Sequence, residues 1–200
     1  MSAHVVESVS LSATNPGCYT VRLFRRKLLI QEPKVSVLLV CMGNICRSPM
    51  AEGMLRKRVA ERTFPLPVEI DSAGTHGYHE GARPDPRAQA AAKRRGVDIS
   101  TLRARRVMAE DFERFDLLVA MDEDNVAALL EQAGEQHQHK VRLLLEFAGD
   151  EGRRNVPDPY YGGTLGFERV LDLLEEGMAG LLEELERIAA SRTAEGARRG

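Results

Sequence analysis

A chain of 200 residues with a formal net charge of −2 is long enough for one domain with a sizeable core, and its charge balance argues against nucleic acid as a main partner. Three cysteines do not make a secreted disulfide framework, and there is neither a secretory leader nor an apolar run approaching the roughly 18 residues a membrane span needs. The expected molecule is soluble and cytoplasmic, without stable membrane insertion.

Residues 1–34 are expected as a flexible N-terminal extension. Arg22, Arg25, Arg26 and Lys27 among Leu and Ile leave a membrane-surface or partner-binding segment as the alternative. Residues 35–190 carry the folded domain. Val35, Ser36, Val37, Leu38, Leu39 and Val40 form an almost continuous apolar, β-branched run, as in a parallel strand buried on both faces. A short loop follows, and Ser48-Pro49 reads as an N-cap with proline at the first helical position, with Ala51, Met54, Leu55 and Val59 at helical spacing beyond. Val68 to Asp71 predicts an edge strand, Asp85-Pro86 caps a helix ending at Gly96, and Leu117 to Met121 predicts a central strand. Asp122 caps a helix reaching about Gln132, Val141 to Leu144 form the last strand, and one apolar stripe from Phe167 to Ile188 marks a long final helix. Residues 191–200 are expected as a frayed tail. This alternation predicts an α/β fold: a four-stranded parallel sheet with helices on both faces, and the loop between first strand and first helix at the strand carboxyl ends.

That loop, Cys41-Met42-Gly43-Asn44-Ile45-Cys46-Arg47-Ser48, carries the chemistry. It places a cysteine at the end of a buried strand and an arginine six positions later at the start of a helix. Unpaired N–H groups and the positive end of the helix dipole favour an anion in the loop and, before one arrives, a thiolate. Arg47 offers a planar fork for two phosphate oxygens, where a lysine would offer only a point charge. Ser48 is within reach of the sulfur, and Gly43 and Asn44 suit positions of positive φ. The arrangement equips the chain for phosphoryl transfer through sulfur.

Cleaving a phosphate monoester also needs a proton for the departing oxygen. Asp158, between Pro157 and Pro159 and before Tyr160, Tyr161, Gly162 and Gly163, is the candidate acid; on this segment alone, an Asx-turn aspartate opening the last helix reads equally well.

From about Val35 to Leu185 the sequence resembles the low-molecular-weight protein tyrosine phosphatases. The resemblance is carried by the Cys41 loop, Asp71-Ser72-Ala73-Gly74-Thr75, Asp85-Pro86-Arg87, Phe115 to Asp122, and Asp158-Pro159-Tyr160-Tyr161. It implies Cys41 as nucleophile, Arg47 as phosphate clamp, Asp158 as general acid, Ser48 as thiolate partner, and Asn44 and Ser72 as braces of the loop. It further implies Met42, Gly43, Ile45 and Cys46 around the bound group, with Tyr78 and Tyr160 at the pocket rim. No cofactor and no metal are implied; His137 and His139 lack further ligand candidates nearby. The partners implied are tyrosine-phosphorylated proteins, with a tyrosine kinase among them. Cys46 is expected to trap oxidised Cys41 as a disulfide. Leu102 stands where many relatives carry a histidine touching the loop asparagine.

Three other functions share the scaffold or the loop. Thiol-dependent arsenate reductases need further downstream cysteines, and the only other one here is Cys18. Protein arginine phosphatases tend to carry threonine at the position of Ile45. A silent phosphate-binding adaptor would not need Cys41, Arg47 and Asp158 together. Arg103, Arg105 and Arg106 could attract acidic phosphopeptides or form a solvated face.

Overall fold

The computed structural model describes residues 8–10, 22–24, 33–149, 152 and 154–199. The chain divides into two units, Met1–Glu32 and Pro33–Gly200. In the first, β1 (Ser8–Ser10) pairs antiparallel with β2 (Arg22–Phe24). Most of the extension expected over residues 1–34, including Cys18 and Arg25 to Lys27, lies outside the described residues.

The second unit is built on a parallel sheet of β3 (Val35–Cys41), β4 (Val68–Gly74), β5 (Leu117–Ala120) and β6 (Val141–Leu143), in the order β4-β3-β5-β6. All seven residues of β3 are buried, because alternate side chains feed two cores. Val37 and Leu39 join one core with α1 (Arg47–Ala60), α2 (Pro86–Arg94) and α5 (Thr164–Arg199). Leu38 and Val40 join the other with Phe112 of α3 (Ala109–Arg114) and Leu129 of α4 (Glu123–Leu130). The four-stranded α/β sheet with helices on both faces is therefore as expected. Short 3₁₀ helices, Glu135–Lys140 and Leu144–Ala148, flank β6.

Two local expectations need correction, and one helix was not expected. α1 starts at Arg47 with Cys46 in the N-cap position, so Ser48 does not cap it; its hydroxyl is engaged elsewhere, as described below. α3 escaped sequence reasoning because six residues are too few for an apolar repeat, although Asp111 marks its start by accepting the Met108 N–H at 2.8 Å. Residues 191–199, expected to fray, continue α5. Arg192 ties that last stretch to the sheet, pairing with Asp116 and donating to the Lys34 carbonyl. α5 also passes so close to the 3₁₀ helix Leu144–Ala148 that a Cβ on Gly180 would collide with the Phe147 carbonyl oxygen, a contact only glycine avoids.

Candidate active site

Cys41 ends β3, and the loop climbs from it into α1. The loop's carbonyls are taken from behind: Thr75 N–H donates to Cys41 O at 2.9 Å, His76 N–H to Met42 O at 3.0 Å and Asp85 N–H to Ile45 O at 2.8 Å. Among the described residues, no protein acceptor takes a backbone N–H from Met42, Gly43, Asn44, Ile45 or Cys46. A run of spent carbonyls and unspent amides, continued by the uncapped first turn of α1, is a binding surface for an anion.

The Ser48 hydroxyl lies 3.1 Å from Cys41 Sγ and accepts from Asn44 Nδ2 at 2.8 Å. Its own hydrogen has two acceptors to choose between, the sulfur at 3.1 Å and the Ala73 carbonyl oxygen at 3.3 Å. The second Asn44 Nδ2–H goes to Ser72 Oγ at 2.9 Å, and Asn44 Oδ1 accepts the Arg105 N–H at 2.9 Å. Ser72 in turn donates to Glu52 Oε2 at 2.6 Å, and Glu52 is held by Arg56 Nε at 2.9 Å. Asn44, Ser48, Ser72 and Glu52 are all buried. Asn44 adopts φ +54° as expected, but Gly43 does not take a positive φ. A Cβ there would sit 3.0 Å from the ring of His79, so any larger residue would have to displace that partly exposed side chain by a few tenths of an ångström. Leu102 is half-buried against the main core, and the acceptor of Asn44 is satisfied by main chain three residues further on. Arg105, expected with Arg103 and Arg106 as a free charged face, is instead half-buried between Asp71 at 2.9 Å and Asp111 at 2.8 Å.

Arg47 is buried, donates to Val156 O at 3.0 Å, pairs with Asp122 and stands 3.6 Å from Asp158 Oδ2. Burial opposes its charge, but the negative charge at Cys41, the hydrogen bond and charge of Asp122 and the charge of Asp158 outweigh it and raise the guanidinium pKa. Asp122 serves twice, since its other oxygen caps α4 by accepting the Asn125 N–H at 2.7 Å. Sequence reasoning found the cap and missed the second partner. The available signal was position: Asp122 follows the carboxyl end of β5, where an open parallel sheet places its site.

Cys41, Arg47 and Asp158 face a cavity of about 420 Å³, which Met42, Gly43, Ile45, Cys46, Tyr78 and Tyr160 also line, together with His79 and Tyr161, which sequence reasoning did not place there. Asp158 is partly exposed, and its Oδ1 accepts the Tyr160 N–H at 3.0 Å. Burial, reinforced by the charges of Asp85, Cys41 and Asp158, pushes the Cys46 thiol up to about 12, so Cys46 is a neutral thiol at physiological pH.

A cysteine under an amide cradle, with a buried arginine and a partly exposed carboxyl in the same cavity, is the equipment of a cysteine-dependent phosphatase. The chain belongs to the low molecular weight phosphotyrosine protein phosphatase family, whose pattern matches residues 36–191. Hydrolysis of phosphotyrosine through a cysteine is the family's activity, and the chain is accordingly a hydrolase of phosphoric monoesters. It is 44% identical over 161 residues to the low molecular weight protein-tyrosine-phosphatase of Streptomyces coelicolor, covering 79% of this chain and 98% of that one. Its fold matches the crystal structure of YfkJ from Bacillus subtilis with a TM-score of 0.73 at 37% identity, covering 78% of this chain and 98% of the other. A Drosophila arginine phosphatase matches with a TM-score of 0.69 at 32% identity, over 74% of this chain and 96% of that one. No helix among the described residues is long and apolar enough to cross a membrane.

Proposed function

We propose that Cys41, Arg47 and Asp158 carry out the phosphotyrosine hydrolysis in two steps. The Cys41 thiolate attacks phosphorus in line, the bond to the phenolic oxygen breaks, and Asp158 delivers its proton to that oxygen, leaving a cysteinyl phosphate and free tyrosine. Asp158, now a carboxylate, takes a proton from water as the water oxygen attacks phosphorus, and the bond to sulfur breaks. Ser48 donates to the departing thiolate. Arg47 and the loop amides hold the equatorial oxygens through both steps, and Asn44 and Ser72 keep the loop in shape. Met42, Gly43, Ile45 and Cys46 surround the phosphoryl group, and Tyr78 and Tyr160 flank the substrate ring.

The observation that carries this reading is the row of backbone N–H groups from Met42 to Cys46 without protein acceptors among the described residues, on the same cavity as Cys41 and Asp158. The chemistry needs no metal, since charge stabilisation comes from groups of the chain. Turnover of p-nitrophenyl phosphate in the presence of EDTA is expected. Cys41→Ser is expected to abolish it, and Asp158→Asn to reduce kcat by about 10²–10⁴ on phosphotyrosine and by less on p-nitrophenyl phosphate, whose leaving group needs less protonation. Full activity of Asp158→Asn on phosphotyrosine would overturn the acid assignment.

The likeness to an arginine phosphatase raises phosphoarginine as a second substrate. Ile45 and the aromatic rim favour an aryl ester, so phosphotyrosine is expected to exceed phosphoarginine in kcat/KM; the reverse order would move the assignment. The substrates in this reading are tyrosine-phosphorylated proteins of the cytoplasm, including a tyrosine kinase. Cys46 is the resolving thiol when peroxide converts Cys41 to a sulfenic acid, forming a disulfide with release of water. Because burial keeps Cys46 protonated, that closure is expected to be slow. Cys46→Ser recovering with dithiothreitol as fully as the parent protein would remove the role.

A further inference from the structure

The exposed large apolar side chains among the described residues are not scattered. Met42, Tyr78, Tyr160 and Tyr161 stand at the mouth of the cavity, Leu165 follows on the first turn of α5, and only Met108 and Leu130 lie elsewhere. A substrate ring in the cavity accounts for the lining residues. It leaves most of the surface of Tyr161, 94% exposed, unused, and it does not touch Leu165, 85% exposed, which does not line the cavity. Single exposed apolar residues need no explanation, whereas a group continuous with a site marks an interaction surface.

The turn that carries them is fixed. Pro159 O accepts the Gly162 N–H at 2.9 Å, and Gly163 O accepts the Gly166 N–H at 2.9 Å. Arg87 of α2 donates to Tyr160 O at 3.0 Å and lies 5.4 Å and 5.1 Å from the ring centres of Tyr160 and buried Phe167. Covering a surface already held in place costs little ordering entropy. The two side chains are apolar, and the first turn of α5 that carries Leu165 has no acidic residue. Beyond Tyr78 the surroundings change: the adjoining cleft is lined by His76, Arg106, Glu131 and Gln132 and is polar.

We propose that Tyr161 and Leu165 form a docking ledge for a large aliphatic or aromatic side chain of the substrate, carried within about three residues of the phosphotyrosine and on one side of it only. The proposal rests on the phosphotyrosine reading above. An extended segment advances about 3.3 Å per residue, so a ledge that meets the cavity at Tyr161 is within reach of the near neighbours of a seated phosphotyrosine. The direction follows from the contrast between the apolar ledge and the polar cleft beyond Tyr78. Contacts made this far from phosphorus are equal in ground and transition states, so they lower KM and leave kcat unchanged.

The test is steady-state kinetics on phosphotyrosine peptides bearing leucine or serine at each of the three positions before and after the phosphotyrosine, with p-nitrophenyl phosphate as reference. The expected result is a leucine preference of about five- to tenfold in kcat/KM, the range for partly covering an aliphatic side chain, carried by KM and confined to one flank. Leu165→Ser is expected to bring the preference below about twofold with p-nitrophenyl phosphate turnover unchanged, and Leu165→Met to restore it. No preference in the parent protein, equal preference on both flanks, or a preference that survives Leu165→Ser would each overturn the ledge while leaving the phosphatase reading intact. Turnover of p-nitrophenyl phosphate with none of any phosphotyrosine peptide would overturn the substrate reading and the ledge with it.

Discussion

At the amino ends of β3 and β5, the Ser36 hydroxyl donates to Arg114 O at 3.0 Å, and Asp116 accepts the Ser36 N–H at 2.8 Å and the Arg192 guanidinium at 2.9 Å. At the carboxyl ends of the same strands, the Ser48 hydroxyl leans on a sulfur; among the described residues the loop amides have no protein acceptor and Arg47 Nη2 has only Asp158, at 3.6 Å. Both ends hold serine, aspartate and arginine, with Ser36 buried at the first and Ser48 and Arg47 at the second. At the first, every partner is protein and the network closes on itself, which stabilises the fold; at the second, the donors outnumber the acceptors supplied, which leaves capacity for a ligand. Incomplete satisfaction of buried donors, more than the presence of charge, separates the site from the scaffold.

The comparison is broken most directly at Arg47. Arg47→Lys keeps the charge and discards the fork, so kcat/KM on p-nitrophenyl phosphate is expected to fall by about 10²–10³ with little change in stability. Activity within threefold of the parent would mean that a point charge suffices and that the geometry of the fork is not used. Asp122→Asn should act more mildly. Asparagine serves as an N-cap as well as aspartate does, so α4 is retained, but the guanidinium loses its charged partner; a loss of about 10- to 100-fold in kcat/KM is expected, with an unchanged melting transition.

The closed end should respond in the opposite sense. Asp116→Ala removes the acceptor for Ser36 and Arg192 and is expected to cost about 1–3 kcal/mol in denaturant unfolding while kcat and KM stay at parental values. A variant that lost activity without losing stability would place the amino ends of the sheet in the catalytic machinery and erase the distinction.

Much of this was legible in the sequence. β3 and β5 announced themselves because strands buried on both faces need continuous apolar runs, and Cys41 and Arg47 because one short loop holds both. Asp158 was legible through its turn and the resemblance. The positions that escaped notice depend on meetings between distant segments: Asp122 lies 75 residues from Arg47, and Arg192 lies 76 residues from Asp116. Glu52 looked like any helical glutamate until Ser72 of the neighbouring strand supplied its partner. Local pattern encodes local geometry, and the second partners of polar side chains are a product of topology.

Cys46 sharpens the comparison, since it sits in the site's loop yet belongs energetically with the scaffold. Burial raises its thiol from an ordinary 9.0 to about 12. Between those values the unfolded chain releases the proton and the folded chain keeps it, so the native state binds more protons and stability falls as pH rises from about 9 toward about 12, with a limiting slope of about 1.4 kcal/mol per pH unit from this group. Below about 9 both states are protonated and the group adds no pH dependence. Other groups titrate in the same range, so the quantity to measure is the difference in unfolding free energy between the parent protein and Cys46→Ala at each pH. That difference is expected to be constant up to about pH 9 and to shift against the parent above it. A difference that stays flat to pH 11 would mean that Cys46 ionises in the folded state as readily as in the unfolded one, which would make it a second thiolate facing the cavity and not a buried wall of the cradle.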